Sequence, residues 1–270
     1  MIRWLSYGIG GSGKSYLAAR AVKELGGIVL DTDDGWGQFG LPYAEEADMA
    51  NGTLAGKVVF IPGDDPSRAR KVINALIAAN RSGKPLTKLI VFDGLSEYQT
   101  KKSLAISKGA MERQDWGELL SDELRLIQLL MPRETGAHLF ATARMRELPD
   151  PGNRDRTLLR PSLQGRFGQE IESWFDIVTP HFHEVTEDAA TGATTGSSFR
   201  AYFQKAGYFS VMARDPWGKQ LPPYIETTLD EQGKVLSQGP DLLDLLVRLG
   251  EIENAEPKRR GGRRGKENNA

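Results

Sequence analysis

Short apolar runs alternate along the chain with segments in which apolar residues recur every three or four positions. The clearest run is L-I-V-F-D at 89–93, where four apolar residues end at an acid. Continuous apolar runs are typical of strands buried on both faces, and the wider spacing is typical of helices with one buried face. Strands are predicted at 2–7, 27–30, 57–62, 88–93 and 137–142, and helices at 16–25, from 66 onward and at 116–130. This alternation predicts an α/β fold with a mostly parallel, twisted sheet flanked by helices.

Turn-forming residues interrupt the pattern after residue 147. Pro149, Pro151 and Gly152 come close together, and no clear periodicity follows them until about residue 168. Proline and glycine clusters of this kind mark loops. We therefore predict a long loop over this stretch, and loops of such length inside a compact domain are usually functional or disordered.

The last third of the chain returns to strand-like patterns and ends in a charged segment. Residues 174–178 predict a strand, 200–213 predict a β-hairpin, and 241–249 predict a final helix. Residues 256–270 are rich in charge and glycine, which predicts a disordered basic tail. We predict one domain over 1–255, with a C-terminal β-hairpin extension.

Composition narrows the class of protein without naming its function. Hydrophobic residues make up 39% and charged residues 26% of the 270 positions, which is typical of a globular protein. The chain has no membrane-length apolar run and no signal-peptide pattern, so we expect a cytoplasmic protein without a membrane partner. Zero cysteines exclude disulfides, cysteine-ligated zinc and thiol catalysis. With a net charge of −1, any binding to nucleic acid must come from local basic clusters.

A glycine-rich motif follows the first predicted strand. The sequence G-I-G-G-S-G-K-S at 8–15 fits the phosphate-binding loop pattern, and a predicted helix follows it at once. In such loops backbone N–H groups cradle phosphates, the lysine neutralises charge on the β- and γ-phosphates, and the hydroxyl ligates Mg²⁺. We predict ATP and Mg²⁺ as ligands. The predicted nucleotide-binding residues are Gly8, Gly10, Gly11, Ser12, Gly13, Lys14, Ser15 and Tyr16.

Acidic and hydroxyl residues at the ends of other predicted strands supply candidate catalytic groups. Asp93 ends the strongest strand, and with Ser15 it is predicted to hold Mg²⁺. Asp31, Asp33 and Asp34 follow the second strand; one of them is expected to position water, and we favour Asp33. Thr142 ends another strand and is a candidate sensor of the γ-phosphate.

These motifs occur in a characteristic order. The segments at 8–15, 30–33, 89–93 and 140–144 follow one another as in a RecA-type ATPase core. The chain resembles the compact bacteriophage RecA-like P-loop ATPases of the AAA_24 group, which include core-only single-strand annealing recombinases. Further stretches similar to that group lie at 160–165, 174–176, 213–215 and 221–222. The resemblance covers roughly residues 1 to 230 and is strongest at the phosphate-binding loop.

The resemblance implies a RecA-like core, ATP hydrolysis and specific roles for several residues. Asp33 stands where RecA-type proteins place a catalytic glutamate, and Thr142 stands near a residue that couples nucleotide to DNA. A cation from a neighbouring subunit reaches the γ-phosphate in such ATPases, and Arg214 is the favoured candidate, with Lys219 as the alternative. This role implies a homo-oligomer. Because nothing precedes the first strand, assembly through an amino-terminal linking segment is not expected.

Basic residues cluster in the predicted loop that follows Thr142. RecA-type cores use the corresponding loop to hold single-stranded DNA, and arginines on an extended segment can follow a phosphate backbone. The predicted DNA-binding residues are Arg144, Arg146, Arg154, Arg156, Arg160 and Arg166. A second basic segment contains Lys101, Lys102, Lys108 and Arg113, and the C-terminal tail is a third. A single-strand-binding protein is a further possible partner.

Three functions are compatible with these patterns. The favoured one is a DNA-stimulated ATPase that assists single-strand annealing or homologous recombination in phage DNA metabolism, in the bacterial host cytoplasm. An NTPase motor or assembly factor, of the packaging or helicase-loading type, is the first alternative. A nucleotide-dependent switch with little turnover is the second, because an aspartate at position 33 is one methylene shorter than glutamate.

Overall fold

The computed structural model of the chain describes most of its residues. These are residues 1–107, 109–150, 152–204, 209–213 and 221–252, with the backbone alone at 154 and 155. The predicted tail and the cation candidates Arg214 and Lys219 lie outside them, as does Lys108. Among the described residues, every helix is too short or too polar to span a lipid bilayer.

Strands and helices alternate through the first 150 positions, as the sequence predicts. The strands are β1 (Arg3–Gly8), β2 (Ile28–Asp31), β3 (Val58–Phe60), β4 (Leu89–Asp93), β5 (His138–Asp150), β6 (Asn153–Pro161), β7 (Ile177–Glu187), β8 (Thr194–Tyr202), β9 (Met212–Ala213), β10 (Tyr224–Asp230) and β11 (Val235–Ser237). The helices are α1 (Lys14–Leu25), α2 (Glu46–Asn51), α3 (Arg68–Arg81), α4 (Leu95–Ile106), α5 (Arg113–Leu130), α6 (Pro132–Thr135), α7 (Gly165–Glu170) and α8 (Leu242–Arg248). Short 3₁₀ helices lie at Trp36–Phe39 and Ile171–Trp174.

The described strands form one mixed sheet. Its parallel part has the order β3-β2-β4-β5-β1-β7, and the antiparallel strands β8, β10 and β11 continue it beyond β7. Helices cover both faces, and the apolar residues divide into two clusters accordingly. Leu5 and Phe92 point toward α3 and α5, whereas their neighbours Trp4 and Val91 point toward α1 and α8. The predicted α/β class, with a mostly parallel sheet and a C-terminal β extension, is confirmed.

The long loop predicted up to residue 168 is wrong. β5 continues to Asp150, and β6 returns antiparallel to it with Arg146 opposite Arg160. Pro149 lies within this hairpin, where the antiparallel pair stands apart from the main sheet and tolerates a residue without an N–H group. The turn-forming residues therefore mark the turn of a hairpin, and α7 follows after three residues.

The hairpin predicted within 200–213 is also not formed as expected. β8 ends at Tyr202 and pairs with β7 on one side and β10 on the other. Residues 212 and 213 pair instead with the start of β7. The C-terminal extension is thus built from β7, β8, β10 and β11, and residues 205–208 lie outside the described part of the chain.

Parallel pairing brings the candidate chemistry to one edge of the sheet. Asp31 lies beside Asp93 in the register of β2 and β4, and Gly8 lies beside Arg144 in the register of β1 and β5. Parallel strands end at a common edge, and ligands of open α/β sheets bind there. The sheet therefore places the phosphate-binding loop next to the acids that the sequence singled out.

His138 is a buried histidine at the start of β5. The side chain is 5% exposed, and its Nδ1 accepts a hydrogen bond from the Ile2 backbone N–H at 3.0 Å. Burial lowers the pKa of His138 to about 4, and the positive charge of Lys88 adds to the effect. The imidazole is thus neutral in the folded protein at neutral pH.

We expect the stability of the protein to fall as the pH drops from about 6.5 toward 4. The unfolded chain protonates His138 near pH 6.5, whereas the folded protein does so only near 4, so acid favours the unfolded state. His138→Asn keeps an acceptor for Ile2 but does not titrate. Urea unfolding at pH 7 and pH 4 should show a loss smaller by about 2–3 kcal/mol in the variant. Equal losses in the two proteins would contradict this assignment.

Candidate nucleotide-binding site

Two glycines of the phosphate-binding loop, Gly8 and Gly13, lie where a side chain would be crowded by neighbouring residues. At Gly8 a Cβ would lie 2.5 Å from Ser12 Oγ and 2.6 Å from the His181 carbonyl oxygen. Gly13, at the start of α1, has a φ of 86°, a conformation that other residues rarely adopt. The tight turn directs the N-terminal end of α1 at the loop, and such a helix end favours anions. The loop therefore has the tight turn that the predicted phosphate site requires, and the binding of phosphate stays a prediction.

Lys14 lies within the curve of the loop. Its Nζ donates to the carbonyl oxygens of Gly8 at 3.1 Å and Ile9 at 2.8 Å. Burial lowers the pKa of Lys14, while the carboxylates of Asp93 and Asp33 act in the opposite direction. The ammonium is thus held at the loop by weak neutral acceptors, which phosphate oxygens can replace.

Asp93 accepts hydrogen bonds from three separate parts of the chain. Ser15 Oγ and Trp36 Nε1 each donate to Asp93 Oδ2 at 2.6 Å, and Thr142 Oγ1 donates to Oδ1. The carboxylate is 4% exposed. The carboxylate and its three donors come from the carboxyl ends of strands, or from the segments that follow them, in β1, β2, β4 and β5.

Ser15 and Asp93 together fit a magnesium ion bound with a nucleotide. Their oxygen atoms already lie 2.6 Å apart, and oxygen ligands are those that Mg²⁺ prefers. Within the described residues, no group of three His, Cys, Asp or Glu side chains could hold a metal by itself. Magnesium in nucleotide sites is usually held by one or two protein oxygens together with substrate phosphates. The donor set here is of that kind.

The three aspartates after β2 differ in what they contact. Asp31 is fully buried and accepts from the backbone N–H groups of Asp33 at 3.0 Å and Trp36 at 3.2 Å, so it holds the turn. Asp34 has a φ of 58° and accepts from the Tyr43 hydroxyl at 3.2 Å. Asp33 lies against Gly94 and near Asp93. This arrangement favours Asp33 as the residue that positions water.

The surroundings of Asp33 suit a proton acceptor. Partial burial raises the pKa of its carboxyl, and the neighbouring Asp93 raises it further. Arg144 and Lys14 lower the pKa, so both cations lie close enough to act on the same carboxylate. A carboxylate with a raised pKa is a better general base than an ordinary surface aspartate.

Thr142 acts on Asp93 and is 1% exposed. Its hydroxyl donates to Asp93 and accepts from the Gly94 backbone N–H at 2.8 Å. The Thr142 hydroxyl thus uses its hydrogen to bond Asp93 and its oxygen to bond Gly94. Any response of Thr142 to the γ-phosphate would therefore pass through Asp93. Its predicted role as a sensor stays a prediction.

A cavity of about 450 Å³ continues from the loop toward the antiparallel strands. Residues 11–17 form one wall, and Phe199, Ile225 and Leu229 from β8 and β10 line another. Tyr16 is 50% exposed and its ring lies 6.5 Å from that of Phe39. The cavity has the position and the apolar walls needed for the parts of a nucleotide beyond its phosphates.

Sequence reasoning missed two residues of this site. Trp36 lies in a stretch without periodicity, and nothing in the sequence indicates that its indole reaches Asp93. His181 is buried beneath the loop, where burial lowers its pKa to about 3 and the charge of Lys14 lowers it further. Its Nε2 has no hydrogen-bond partner among the described residues. The pairing of β7 with β1 puts His181 opposite Gly8, which no local pattern reveals.

Comparison with known proteins gives a family. The family model AAA_24, described as an AAA domain, matches residues 1–206. The chain belongs to the AAA_24 family. A crystal structure of the RadB recombinase is 14% identical in sequence to this AAA_24 chain, with a TM-score of 0.45, and the match covers 86% of this chain and 89% of that one. No curated protein matches the chain.

Of the basic residues predicted to bind DNA, Arg144 lies nearest the nucleotide site. It follows Thr142 by two positions, pairs with Glu97, and has a side chain that is 62% exposed. Its charge acts on both Lys14 and Asp33. The structure therefore brings Arg144 to the edge that the phosphate-binding loop occupies.

The other predicted arginines of the hairpin and of α7 differ in exposure. Arg146 and Arg160 are half-buried and opposite each other, and Arg160 Nε donates to Glu172 at 2.9 Å. Arg156 is exposed on β6, and Arg166 is exposed on α7, where it pairs with Glu170. The side chain of Arg154 lies outside the described residues. Arg156 and Arg166 have the exposure that contact with a phosphate backbone requires.

The second basic segment is not the loop that the sequence suggested. Lys101 lies in α4, and its Nζ donates to the carbonyl oxygens of Thr32 at 2.7 Å and Ile61 at 2.8 Å. Lys102, also in α4, lies 3.6 Å from Asp122. A contact between Lys101 and DNA stays a prediction, although its ammonium already bonds to residues next to the ends of β2 and β3. Arg113 remains exposed at the start of α5.

We expect Trp36→Phe to destabilise the protein more than Trp4→Phe. Both indoles are buried, but Trp36 donates to a carboxylate and Trp4 donates to the Thr179 hydroxyl at 2.8 Å. A hydrogen bond to a charged group contributes about 1.5–3 kcal/mol, against about 0.5–1.5 kcal/mol for a neutral pair. Urea unfolding of the two variants measures the difference. Equal losses would show that the bond to Asp93 contributes no more than the neutral bond to Thr179.

Proposed function

We propose that this chain is an Mg²⁺-dependent ATPase that binds single-stranded DNA and assists annealing or homologous recombination. The proposal is supported mainly by strand β5, which belongs both to the parallel sheet and to the hairpin with β6. Its first half lies in the parallel sheet as far as Arg144 and contains Thr142, which is hydrogen-bonded to Asp93. Its second half forms the basic hairpin with β6. One continuous strand thus joins the nucleotide site to the segment predicted to bind DNA.

The nucleotide chemistry rests on four side chains. Lys14 and the loop hold the phosphates, Ser15 and Asp93 hold Mg²⁺, and Asp33 orients the attacking water and accepts its proton. When bound, the metal neutralises charge on the phosphate oxygens. A cation from a second copy is proposed to complete the site, and its candidates Arg214 and Lys219 lie outside the described residues.

The DNA side rests on the exposed arginines of the hairpin and of the helix after it. Arg144, Arg156 and Arg166 are exposed, and they lie along a continuous stretch from β5 to α7. Arginines that contact phosphates give affinity that tolerates any sequence and weakens as salt rises. Coupling then follows from position, since Arg144 is near Lys14 as well as on this stretch.

We expect single-stranded DNA to stimulate phosphate release from MgATP. The reason is that β5 connects the hairpin to Asp93. Purified protein is assayed with no DNA, with single-stranded DNA and with duplex, and Lys14→Ala serves as the blank. Arg156→Ala should weaken the response, whereas Arg133→Ala, which changes an exposed arginine on α6, should not.

Each contrary result points to a different function. Equal stimulation by duplex would favour a motor or assembly factor. Tight binding of ATP without phosphate release under any condition would favour a nucleotide-dependent switch.

A second expectation concerns the catalytic aspartate. Asp33→Asn should lower kcat by about 100-fold without weakening ATP binding, because the group that accepts the proton is lost. Asp34→Asn is the matched control: asparagine tolerates the same left-handed backbone, and this side chain contacts Tyr43. Rates and nucleotide affinities of both variants decide the assignment. A larger loss in Asp34→Asn would transfer the role to Asp34.

A further inference from the structure

A second cleft, of about 240 Å³, lies between α5 and the start of α7, and its lining shares no residue with the nucleotide cavity. Trp116, Leu119 and Leu120 from α5 form its apolar wall. Gln99 from α4 and the segment 164–166 form the opposite wall. Nothing in the nucleotide chemistry uses these residues.

Glu123 gives the cleft a polar end. The residue is 2% exposed and lines the cleft, and its Oε1 has no hydrogen-bond partner within the described part of the chain. A buried polar atom without a partner is costly, and native proteins rarely keep one unless a ligand or water satisfies it. A ligand that presents a hydrogen-bonding group at this end of the cleft would satisfy Oε1.

The protonation of Glu123 bears on the charge of that ligand. Burial, with a smaller contribution from Asp122, raises the pKa of the carboxyl to about 8 against the opposing effect of a hydrogen bond with Gln99. At neutral pH the group is mostly uncharged, which favours a neutral polar partner over a cation. A carboxyl group can both donate and accept hydrogen bonds, as the edges of nucleobases do.

Trp116 supplies a flat apolar surface at the mouth of the cleft. It lies in the first turn of α5 and is 37% exposed, which is unusual for so large an apolar side chain. Aromatic side chains of this kind stack on unpaired bases, and stacking tolerates any base because each has a π-face. A flat apolar wall with a hydrogen-bonding group at its end matches a planar heterocycle.

The position of the cleft links it to the basic residues. Arg113, three residues before Trp116, lies at the start of α5, and Gln164 follows the last residue of β6 by three positions. The Gln164 backbone N–H donates to Gln99 Oε1 at 2.7 Å, which holds the end of the hairpin segment against α4. Arg166 is at the rim. A strand whose phosphates follow the hairpin arginines therefore reaches this cleft.

We infer that the cleft takes one unpaired base of bound single-stranded DNA, stacked on Trp116 and hydrogen-bonded by its edge to Glu123. The inference rests on the proposed function, since it names a subsite for the DNA that the hairpin is proposed to bind. The hairpin arginines then hold the phosphates, and the cleft accepts a base only from an unpaired strand. A duplex buries its base edges and faces, so it does not enter.

Abasic DNA separates base binding from phosphate binding. Fluorescence anisotropy measures the affinity of the full-length protein for labelled oligothymidylate and for an abasic oligomer of equal length. The wild type should prefer the base-containing oligomer by roughly tenfold or more. Trp116→Ala should weaken binding of that oligomer alone, by about tenfold, so that the preference shrinks.

Three further variants distinguish loss of the base site from misfolding of the protein. Trp116→Phe keeps an aromatic ring and should restore most of the preference, which a merely misfolded protein would not do. Tyr224→Ala removes another exposed aromatic side chain, on β10, and should leave the preference unchanged. Glu123→Met keeps the length of the side chain but removes the hydrogen-bonding carboxyl group, so it should reduce the preference.

The outcomes distinguish this inference from the proposed function. If neither oligomer binds the wild type at low salt, the proposed function fails and the inference fails with it. If both oligomers bind and Trp116→Ala keeps the full preference for bases, the cleft is not the base site, while DNA binding by the arginines stands.

Discussion

The carboxylate of Asp93 holds together parts of the chain that are far apart in sequence. Ser15 comes from the phosphate-binding loop, Trp36 from the turn after β2, and Thr142 from β5, and all three donate to this one side chain. A buried charge is stable only when hydrogen bonds compensate the lost hydration. The geometry of the site therefore depends on these three donors. If one of them moves, the Asp93 carboxylate shifts and the hydrogen bonds of the other two change.

How much of the site could be predicted depends on the range of the contacts that form it. The phosphate-binding loop is contained in eight consecutive residues, so its glycines, Lys14 and Ser15 are readable from the sequence. Asp93 is readable because it ends an apolar run. Trp36 is not, because its partner lies 57 positions away and the intervening pattern gives no register. The hydrogen bonds of Lys101 are not predictable for the same reason, because they form only where the ends of β2 and β3 meet α4.

The fold was predictable where the spacing of apolar residues indicated a single kind of element. Buried parallel strands have a strong apolar signal, and their order along the chain predicts the α/β class. The stretch around Pro149 is predicted as a loop because its turn-forming residues lie at the tip of a hairpin whose strands are only partly buried. β5 has no single pattern, since it begins as a buried parallel strand and ends as half of a partly exposed antiparallel pair. Local composition describes each half correctly but does not show that they are one strand.

The half-buried pair of Arg146 and Arg160 has a thermodynamic consequence for the hairpin. The two arginines lie opposite each other on paired strands, and the charge of Arg160 is partly neutralised by Glu172. Burial lowers the pKa of Arg146, and the positive charge of Arg160 contributes to the same shift. Like charges in this position oppose strand pairing. A polyanion on the hairpin would relieve that repulsion, so ligand affinity and local folding are linked there. Binding of a polyanion would recover the free energy that this repulsion costs the empty hairpin, so the pairing of β5 with β6 would contribute to the affinity.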